Sequence, residues 1–351
     1  MPQIKRAVKI TGKERIQWLD IAKGIAIILM IFGHVKGINP YLRMFIFSFH
    51  MPLFMIINGY LIKNYNPKET LKKSAHSLVI PYAVVCLLQV IVKTILSFGN
   101  ASPFKVFLKG IADSLIGVSF TSTKFTQFGS VSLVWFVVCL FFARNIYVLL
   151  MSLISKTSEL IRLAVLFAIS LAGYFIGIYY AFLPWSLDVA LYSVIFIAAG
   201  DILRKESFFE NKRPLAYVIP CAIWICFLKT HTHIELAVRN YPFAYGGAIS
   251  AIAGAIVVIA LSKYLDERVK QFSSLLAWYG KNSMLILGVH CMENKFIPWN
   301  QLYGQSGIAD KWLLQALIRF GFVSFIVLDI CLVSGMLRDF RGKMVKKNGQ
   351  V

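Results

Sequence analysis

The chain has 351 residues, of which 58% are hydrophobic and only 15% are charged. A soluble domain would not need so much apolar surface, and the apolar residues fall in stretches long enough to cross ~30 Å of hydrocarbon. The composition therefore excludes a soluble globular protein. The formal net charge of +21 has to be interpreted as a property of a polytopic membrane protein.

Ten apolar segments are predicted to be transmembrane helices. In chain order they cover residues 18–36, 42–62, 77–98, 131–152, 161–180, 183–203, 214–230, 242–262, 282–298 and 312–337. The ninth is the least regular of them, because Glu293 and Lys295 interrupt it. We therefore predict an all-α polytopic membrane helix bundle of about ten transmembrane helices. Its membrane domain covers residues 18–337, between a basic N-terminal segment (1–17) and a basic tail (338–351).

The basic residues indicate how the bundle is oriented. About two-thirds of the 37 Lys and Arg residues fall in the two terminal segments and in every second connection. This is the positive-inside pattern for an even number of helices, so both termini are predicted to be cytoplasmic. The net charge is thereby assigned to membrane topology rather than to nucleic-acid binding. The loops at about 99–130 and 229–241 then face the outside, and Phe104–Phe120 has the character of an interfacial helix.

Targeting, metal and domain signals are weak in this sequence. No small-residue cleavage site follows the first apolar segment, so we expect that segment to be retained as a helix. The six cysteines include no C-x-x-C pair, which argues against a metal or redox site. His231 and His233 in the second outer loop are more typical of solvated side chains than of a chelate. No soluble catalytic domain is recognisable, so any chemistry is expected to be done by the bundle.

Ionisable residues follow one face of the first predicted helix. At ~100° per residue, Asp20, Lys23 and His34 fall within ~60° of one another and span ~21 Å. Ionisable groups inside a bilayer are rare and are functional candidates by default, and histidine titrates near neutral pH. We predict a catalytic stripe in which His34 is a general base or an acyl-accepting nucleophile and Asp20 takes part. The alternative is a histidine that is simply solvated at a helix end.

The second predicted helix carries a histidine beside a proline. Pro52 cannot donate a backbone hydrogen bond and frees the carbonyl of Ser48. In a membrane, such an irregularity is tolerated where a cavity or a neighbour satisfies the backbone. We therefore predict a kinked helix with His50 in a wet pocket. The alternative is a packing helix in which this histidine bonds a neighbouring carbonyl.

A candidate anion site precedes the ninth apolar segment. Asn282 or Ser283 would cap the free N–H groups of a helix start, and those groups together with Lys281 would attract an anion. A phosphate-bearing ligand and a plain capped helix both fit this pattern. His290, Arg319 and Asp329 are further polar residues within apolar segments, and the sequence assigns no partner to them.

Together these residues resemble the integral-membrane acyltransferase family 3, in particular its O-acetyltransferases of surface polysaccharides, including fucose 4-O-acetylase-like members. The matching pieces extend over nearly the whole chain: Leu19-Asp20-Ile-Ala-Lys23-Gly24…Gly33-His34, Phe49-His50-Met51-Pro52-Leu53-Phe54…Gly59-Tyr60, Pro81-Tyr82, Leu133-Val-Trp135-Phe136, Gly200-Asp201 and Gly280-Lys281-Asn282-Ser283…His290. The first two motifs, in this order, are the specific ones. The basic residue that the family often carries just before Pro-Tyr is displaced here to Lys73.

The resemblance implies acyl transfer from a cytoplasmic acyl-CoA, with acetyl-CoA as the expected donor, to a hydroxyl of an extracytoplasmic or lipid-linked glycan. It places the essential histidine at His34, and His50 is then expected to donate a hydrogen bond to the developing oxyanion. The CoA phosphates are expected at a basic cytoplasmic mouth formed by Arg15, Lys23, Lys72, Lys73, Lys281, Asn282 and Ser283.

The implied partners are a surface polysaccharide or lipid-linked glycan and the lipids of the cell membrane, which the chain would cross several times. No metal and no nucleic acid are implied, and the oligomeric state is left open. Some relatives carry a fused soluble transferase domain; none is recognisable here, so direct transfer is implied. The rival interpretation is a transporter, such as a lipid-linked glycan flippase, that uses the same polar stripe as its pathway.

Overall fold

The structure is a computed structural model that describes residues 15–99, 102–117, 131–180, 183–210 and 215–348, with side chains up to residue 337. The predicted N-terminal segment, part of the first outer loop and the side chains of the predicted tail therefore lie largely outside the described residues.

The described residues form sixteen α-helices. They are α1 Gln17–Gly33, α2 Pro40–Phe47, α3 His50–Tyr60, α4 Pro67–Ser74, α5 Ile80–Leu96, α6 Pro103–Ile116, α7 Trp135–Ile154, α8 Glu159–Phe175, α9 Leu187–Tyr192, α10 Val194–Lys205, α11 Leu215–Lys229, α12 Gly246–Arg268, α13 Lys270–Lys281, α14 Ser283–Phe296, α15 Trp299–Gln305 and α16 Trp312–Asn348. Within the same residues the only β pairing is an isolated antiparallel bridge between Glu235 and Asn240. The all-α prediction is confirmed.

Each predicted transmembrane segment coincides with helix. Six helical stretches are long and apolar enough to cross a membrane: Pro40–Tyr60, Pro67–Leu96, Ser132–Ile154, Glu159–Tyr180, Gly246–Arg268 and Trp312–Leu337. Pro184–Tyr192 and Val194–Lys205, bent by 49°, make a seventh if they form one span. The polytopic helix bundle is thus confirmed. The count of ten and the location of the termini stay predictions, because α1, α11 and α14 have only 17, 15 and 14 residues.

Helix ends follow local sequence signals. Asn39 and Asn66 each cap a helix through their side-chain oxygens, and each is followed by a proline in the first turn, where the missing N–H does no harm. In the first predicted outer loop, α6 covers most of Phe104–Phe120; residues 118–120 lie outside the described residues, and the interfacial location of this helix stays a prediction. The helix ends at Gly117, whose φ of +63° is a left-handed conformation that glycine adopts without strain.

Two glycines bring α1 and α13 into backbone contact. A Cβ atom added at Gly24 would overlap the carbonyl oxygen of Leu276, and one added at Gly280 would overlap that of Asp20. Each glycine therefore lies against the backbone of the other helix. The rings of His34 and His290, each ten residues further along its chain segment, are also in contact, with centroids 5.5 Å apart, so the two helices run parallel. The same reciprocal contact joins α3 and α10 through Gly59.

Because α1 and α13 run parallel, two histidines lie at the same height along the helix axes. His34 follows Gly24 by ten residues and His290 follows Gly280 by ten residues. The path from α13 into α14 continues in one direction through Asn282, whose N–H still bonds the carbonyl of Trp278 at 3.1 Å. The two histidines consequently lie side by side, at the end of α1 that is remote from the N-terminus.

We expect Gly24→Ala to destabilise the protein. The added Cβ would meet the backbone of Leu276, which cannot rotate away, and overpacking typically costs ~1–3 kcal/mol. The melting temperature of the purified protein in detergent measures the effect. Gly321→Ala is the matched control, because no atom lies within 4 Å of a Cβ at this position of α16. Equal melting temperatures for the two variants would contradict the close packing.

A buried ion pair anchors the second outer loop. Arg239 donates from Nε and Nη2 to the two carboxylate oxygens of Asp188, at 2.8 and 3.0 Å, and both residues are buried. Tyr241 stacks on Tyr192 with ring centroids 4.1 Å apart. These contacts fix the loop to α9 and thereby fix the position of Glu235, which belongs to the same loop.

Candidate active site

His34 lies at the C-terminal end of α1. Its Nδ1 atom is 2.8 Å from the carbonyl oxygen of Met30. A carbonyl only accepts hydrogen bonds, so Nδ1 carries the proton and Nε2 keeps the lone pair of the neutral ring. Gly33 allows Phe47 to pack closely against the helix at this point, since an added Cβ would come within 2.8 Å of the phenyl ring. Nε2 of His34, the predicted proton acceptor, is therefore not hydrogen-bonded to α1.

His290 lies beside His34, with ring centroids 5.5 Å apart. It is fully buried, and its Nδ1 atom is 2.6 Å from Oε1 of Glu293, one turn later on α14. Neither ring nitrogen has a hydrogen bond of good geometry among the described residues, so the contact with Glu293 is an ion-pair contact and Nε2 is free. A histidine held against a carboxylate, with the other nitrogen free, resembles the arrangement of a general base.

Glu293 and Arg319 connect the two histidines. Arg319 donates from Nη2 and Nε to Oε1 of Glu293, at 2.7 and 3.2 Å, and from Nη1 to the carbonyl oxygen of His34 at 2.9 Å. The indole N–H of Trp299 donates to the other oxygen of Glu293. One buried carboxylate therefore orients His290, while its arginine partner caps the end of α1 that carries His34.

His50 is the first residue of α3, after a break at Ser48 and Phe49. The predicted irregularity is thus an interruption between α2 and α3, and Pro52 lies in the first turn of α3. The Nδ1 atom of His50 is 3.0 Å from the carbonyl oxygen of Ile46, the contact expected if the histidine only satisfies its own backbone. Its ring and that of His34 both flank Phe47, at centroid distances of 4.8 and 5.6 Å.

A large cavity, which we call the chamber, runs along the stripe-bearing face of α1. Its volume is about 490 Å³. It extends from Lys23 and Ser283, near the N-terminal half of α1, to His34, His50 and Glu235 at the other end. Between the ends its walls are mainly apolar, including Ile27, Met30, Phe54, Leu133, Phe136 and Leu287. The chamber therefore links the two ends of the predicted stripe.

Asp20 lies far from the histidines. It is buried, and its carboxylate pairs with Lys23 Nζ at 2.6 Å and Arg15 Nε at 3.3 Å. Along a continuous helix the 14 residues from Asp20 to His34 amount to ~21 Å, so the two side chains cannot act on the same atom. The catalytic role of Asp20 stays a prediction, and this geometry supports a positioning role instead. Its carboxylate holds the two cations near the inner end of the chamber.

Lys72 and Lys73 do not reach the chamber. Both are exposed on α4, and Lys73 pairs with Glu69 one turn earlier. Surface ion pairs of this kind form because α4 is polar on its outer face, and they contribute little to stability. The structure places Lys72 and Lys73 among solvated cations, and their role in donor binding stays a prediction.

The predicted anion site before the ninth segment is built differently from expectation. Lys281 and Asn282 line a separate apolar groove next to α5 and α16. Asn282 does not cap α14, because its side-chain amide donates back to the carbonyl of Trp278 at 2.9 Å. Of the four residues Gly280 to Ser283, only Ser283 lines the chamber. The prediction that Asn282 caps this helix is therefore wrong.

A second cavity, which we call the recess, meets the chamber at His34. Its volume is about 330 Å³. Four residues, His34, Val35, Lys36 and Asn294, line both cavities. The remaining walls of the recess are mainly polar and aromatic, with two aliphatic residues: Trp299, Asn300, Gln301, Tyr303 and Arg319, together with Ile297 and Pro298. His34 thus lies at the junction of an apolar chamber and a polar recess.

The outer end of the chamber is closed by a charged cluster. Arg43 donates to Oε1 of Glu235 at 3.0 Å and lies over the ring of Phe47, 4.2 Å from its centroid. His233 Nε2 is 3.5 Å from the other oxygen of Glu235. Burial alone would raise the pKa of Glu235, but contacts with His233 and Arg43 outweigh it and hold that pKa below its usual range. His233, expected to be solvated, is part of this cluster.

A family model described as an acyltransferase domain matches residues 16–335. The chain belongs to this acyltransferase family. Among curated proteins and among solved structures there is no significant match. The matched range contains every helix that lines the chamber and the recess, so the protein is a membrane acyltransferase, as predicted. The fucose 4-O-acetylase-like subtype stays a prediction.

Several polar residues of this acyltransferase were not singled out as site residues by the sequence. They are Glu293, Arg319, Arg43, Glu235, Asn58 and Arg144. Arg144 donates to Oδ1 of Asn58 at 2.8 Å, and Asn58 lines the chamber. All of them except Glu235, which lies in the middle of a loop, interrupt an apolar segment, and that interruption is the signal that the sequence offers. Their partners are remote in sequence, so the pairing itself could not be predicted.

Proposed function

We propose that this acyltransferase moves an acyl group, with acetyl as the expected group, from cytoplasmic acyl-CoA to a hydroxyl of an extracytoplasmic or lipid-linked glycan. The observation that supports this most strongly is the position of His34. It lies where the chamber, which begins near the start of α1, meets the recess at the opposite end of that helix. An acyl donor and a hydroxyl acceptor can therefore approach the same imidazole from two sides.

The chamber suits the pantetheine arm and thioester of the donor. It extends from Lys23 to His34 along α1 and its walls are mainly apolar, and ligand sites of this kind hold a ligand through apolar walls with a few placed polar groups. Lys23, held by Asp20, lies at the inner end, where the phosphates of the CoA nucleotide would remain. Arg144 donates to Asn58, which lines the chamber, and so places a second cation behind the chamber wall. The nucleotide then stays on the cytoplasmic side while the thioester carbon reaches His34.

Two routes are open to His34. As a general base, Nε2 takes the proton of the acceptor hydroxyl while the oxygen attacks the thioester carbonyl; the C–S bond breaks and the CoA thiolate takes up the proton. As a nucleophile, Nε2 attacks the thioester carbonyl, CoA thiolate leaves, and the acceptor oxygen then displaces the imidazole. In the second route His290, oriented by Glu293, is placed to take the acceptor proton. Both routes use the lone pair that the Met30 contact leaves on His34.

The role of His50 follows from its tautomer. Its Nδ1 proton is engaged by the carbonyl of Ile46, so the neutral ring has no N–H to offer an oxyanion. Donation to the oxyanion would require the doubly protonated ring. The neutral Nε2 can instead accept a hydrogen bond from an amide N–H of the pantetheine arm. We therefore propose that His50 orients the donor in the chamber.

The direct test uses purified protein and radiolabelled acetyl-CoA. The acceptor is the carbohydrate fraction extracted from cells that lack this protein. Acyl transfer predicts label in the carbohydrate together with an equal amount of free CoA. A transporter would release no CoA and label no carbohydrate, and that result would overturn the proposal.

Donor affinity is expected to depend on Lys23 rather than on Lys73. Lys23→Ala removes a charge-assisted contact worth ~1.5–3 kcal/mol, so the KM for acetyl-CoA should rise at least about tenfold. Lys23→Arg keeps the charge and should retain most of the affinity. Lys73→Ala is the matched control, because Lys73 is exposed and paired with Glu69, and its KM should change less than about threefold. A larger effect at Lys73 than at Lys23 would move the nucleotide site to α4.

A further inference from the structure

We infer that the recess is the acceptor subsite and that it binds a single sugar unit through the hydroxyl groups of that sugar. This inference rests on the proposed function, since it identifies the group that receives the acyl. The recess shares His34 with the chamber, so a hydroxyl bound in it lies next to the imidazole that would activate it.

The side chains of the recess match hydroxyl groups. Asn300 and Gln301 are exposed, and no side-chain hydrogen bond links either of them to another described residue. The amide oxygen of Asn294 accepts a hydrogen bond from Arg319 at 2.7 Å, and the NH2 group of Asn294 stays available. A carboxamide both donates and accepts hydrogen bonds, as a hydroxyl does. Three amides around one small cavity are therefore suited to a polyhydroxylated ligand.

The charges of the recess argue against other acceptor classes. Lys36 is the only residue lining it that carries a charge without an ion pair among the described residues. Arg319 is already engaged by Glu293, Asn294 and the carbonyl of His34. A phosphate or carboxylate acceptor would be expected to meet a free arginine or several free cations. An aliphatic alcohol would favour the apolar groove along α14 instead.

The size and rigidity of the recess fit one sugar ring. Its volume of about 330 Å³ is at the small end of ligand cavities, which run from ~300 to 1,000 Å³. Trp299 and Tyr303 form an aromatic wall with ring centroids 5.5 Å apart and planes inclined by 19°. The indole N–H of Trp299 is held by Glu293, the carboxylate that also orients His290. The sugar wall and the catalytic histidines are thus positioned by the same side chain.

Cysteines placed in the recess test the inference, in a variant whose accessible native cysteines, Cys221, Cys226 and Cys331, are replaced by serine. Asn300→Cys and Gln301→Cys are modified with 2-sulfonatoethyl methanethiosulfonate, which adds a group that fills part of the cavity. Gln305→Cys is the matched control, since Gln305 is an exposed residue of the same helix, α15, outside the recess. Transfer of labelled acetyl to the extracted carbohydrate fraction and binding of acetyl-CoA are measured on each sample. Modification at the two recess positions should lower transfer at least tenfold and change acetyl-CoA binding less than twofold, whereas Gln305→Cys should change neither.

Complete modification of both recess cysteines with unaltered transfer would overturn the inference. Loss of acetyl-CoA binding on modification would show that the recess binds the donor, and this result would also overturn the inference. If Lys36→Ala abolished transfer while Asn300→Ala and Gln301→Ala did not, the acceptor would be recognised by an anionic group rather than by sugar hydroxyls. Failure of the unmodified wild-type protein to bind acetyl-CoA or to transfer acetyl would refute the proposed function itself, and the inference with it.

Discussion

Replacing His34 by alanine should lower acyl transfer at least about 10³-fold, because proton transfer by a placed side chain contributes ~10²–10⁴-fold and the alternative nucleophilic route would be lost altogether. Folding should be little affected, since the imidazole makes one hydrogen bond within its own helix. Acetyl-CoA binding should also persist, because the nucleotide end of the donor lies at the other end of the chamber. Initial rates with labelled acetyl-CoA, together with melting temperature and donor binding, measure all three effects.

His231→Ala is the matched control for the His34 variant. His231 is an exposed histidine of the second outer loop, and its removal should leave the rate within about twofold. A His34→Ala protein that retained a tenth or more of the wild-type rate would rule out both routes proposed for this residue.

Glu293→Gln should lower transfer at least about 100-fold, and it should also destabilise the protein. Glutamine keeps the shape but removes the charge that orients His290 and balances Arg319. Removing one partner of a buried pair costs ~3–5 kcal/mol, because the other charge is left uncompensated. The turnover number and the melting temperature are measured on the same preparation.

The double variant Glu293→Gln/Arg319→Met separates catalysis from folding. With both charges removed, the buried pair is replaced by a neutral one, and the melting temperature should recover towards the wild-type value. Transfer should stay low, because His290 still lacks its carboxylate. Recovery of activity together with stability would show that Glu293 acts only through the fold.

The sequence was most informative where the chemistry depends on one helix. The helical period placed Lys23 and His34 on one face, and both line the chamber. The same period also placed Asp20 on that face, ~21 Å from His34 along the helix. The helical period could not predict that the Asp20 carboxylate pairs with Lys23 and Arg15.

Contacts between remote segments could not be predicted. In the sequence, Glu293 is recognisable only as an interruption of the ninth apolar segment, and Arg319 has no assignable partner. In the structure the two form the buried ion pair that positions the site. Their pairing depends on how α14 and α16 pack, which no local period specifies. Gly24 and Gly280 carried a partial signal, because a glycine within an apolar helix suggests close packing. Which glycine meets which was set by the tertiary fold.

The cap predicted at Asn282 failed for a local reason. α13 and α14 follow each other without a full break, so the carbonyl of Trp278 is available to the Asn282 amide. A side chain that has this acceptor one turn behind it does not need to cap the next helix. The apolar pattern alone suggested a fresh helix start at a membrane surface, whereas the chain arrives there already helical.

We expect an acyl group to pass from CoA on one side of the membrane to a glycan on the other through the chamber. Reconstitution into sealed vesicles is the decisive experiment, with orientation established by an impermeant thiol reagent on Thr230→Cys and Lys68→Cys, in the second outer loop and on α4, in a variant whose exposed Cys226 is replaced by serine. Labelled acetyl-CoA is supplied only on the Lys68 side and the extracted carbohydrate fraction only on the Thr230 side. Labelled carbohydrate should appear on the Thr230 side and free CoA on the Lys68 side. Product that forms only when both substrates share one side of the membrane would contradict this expectation.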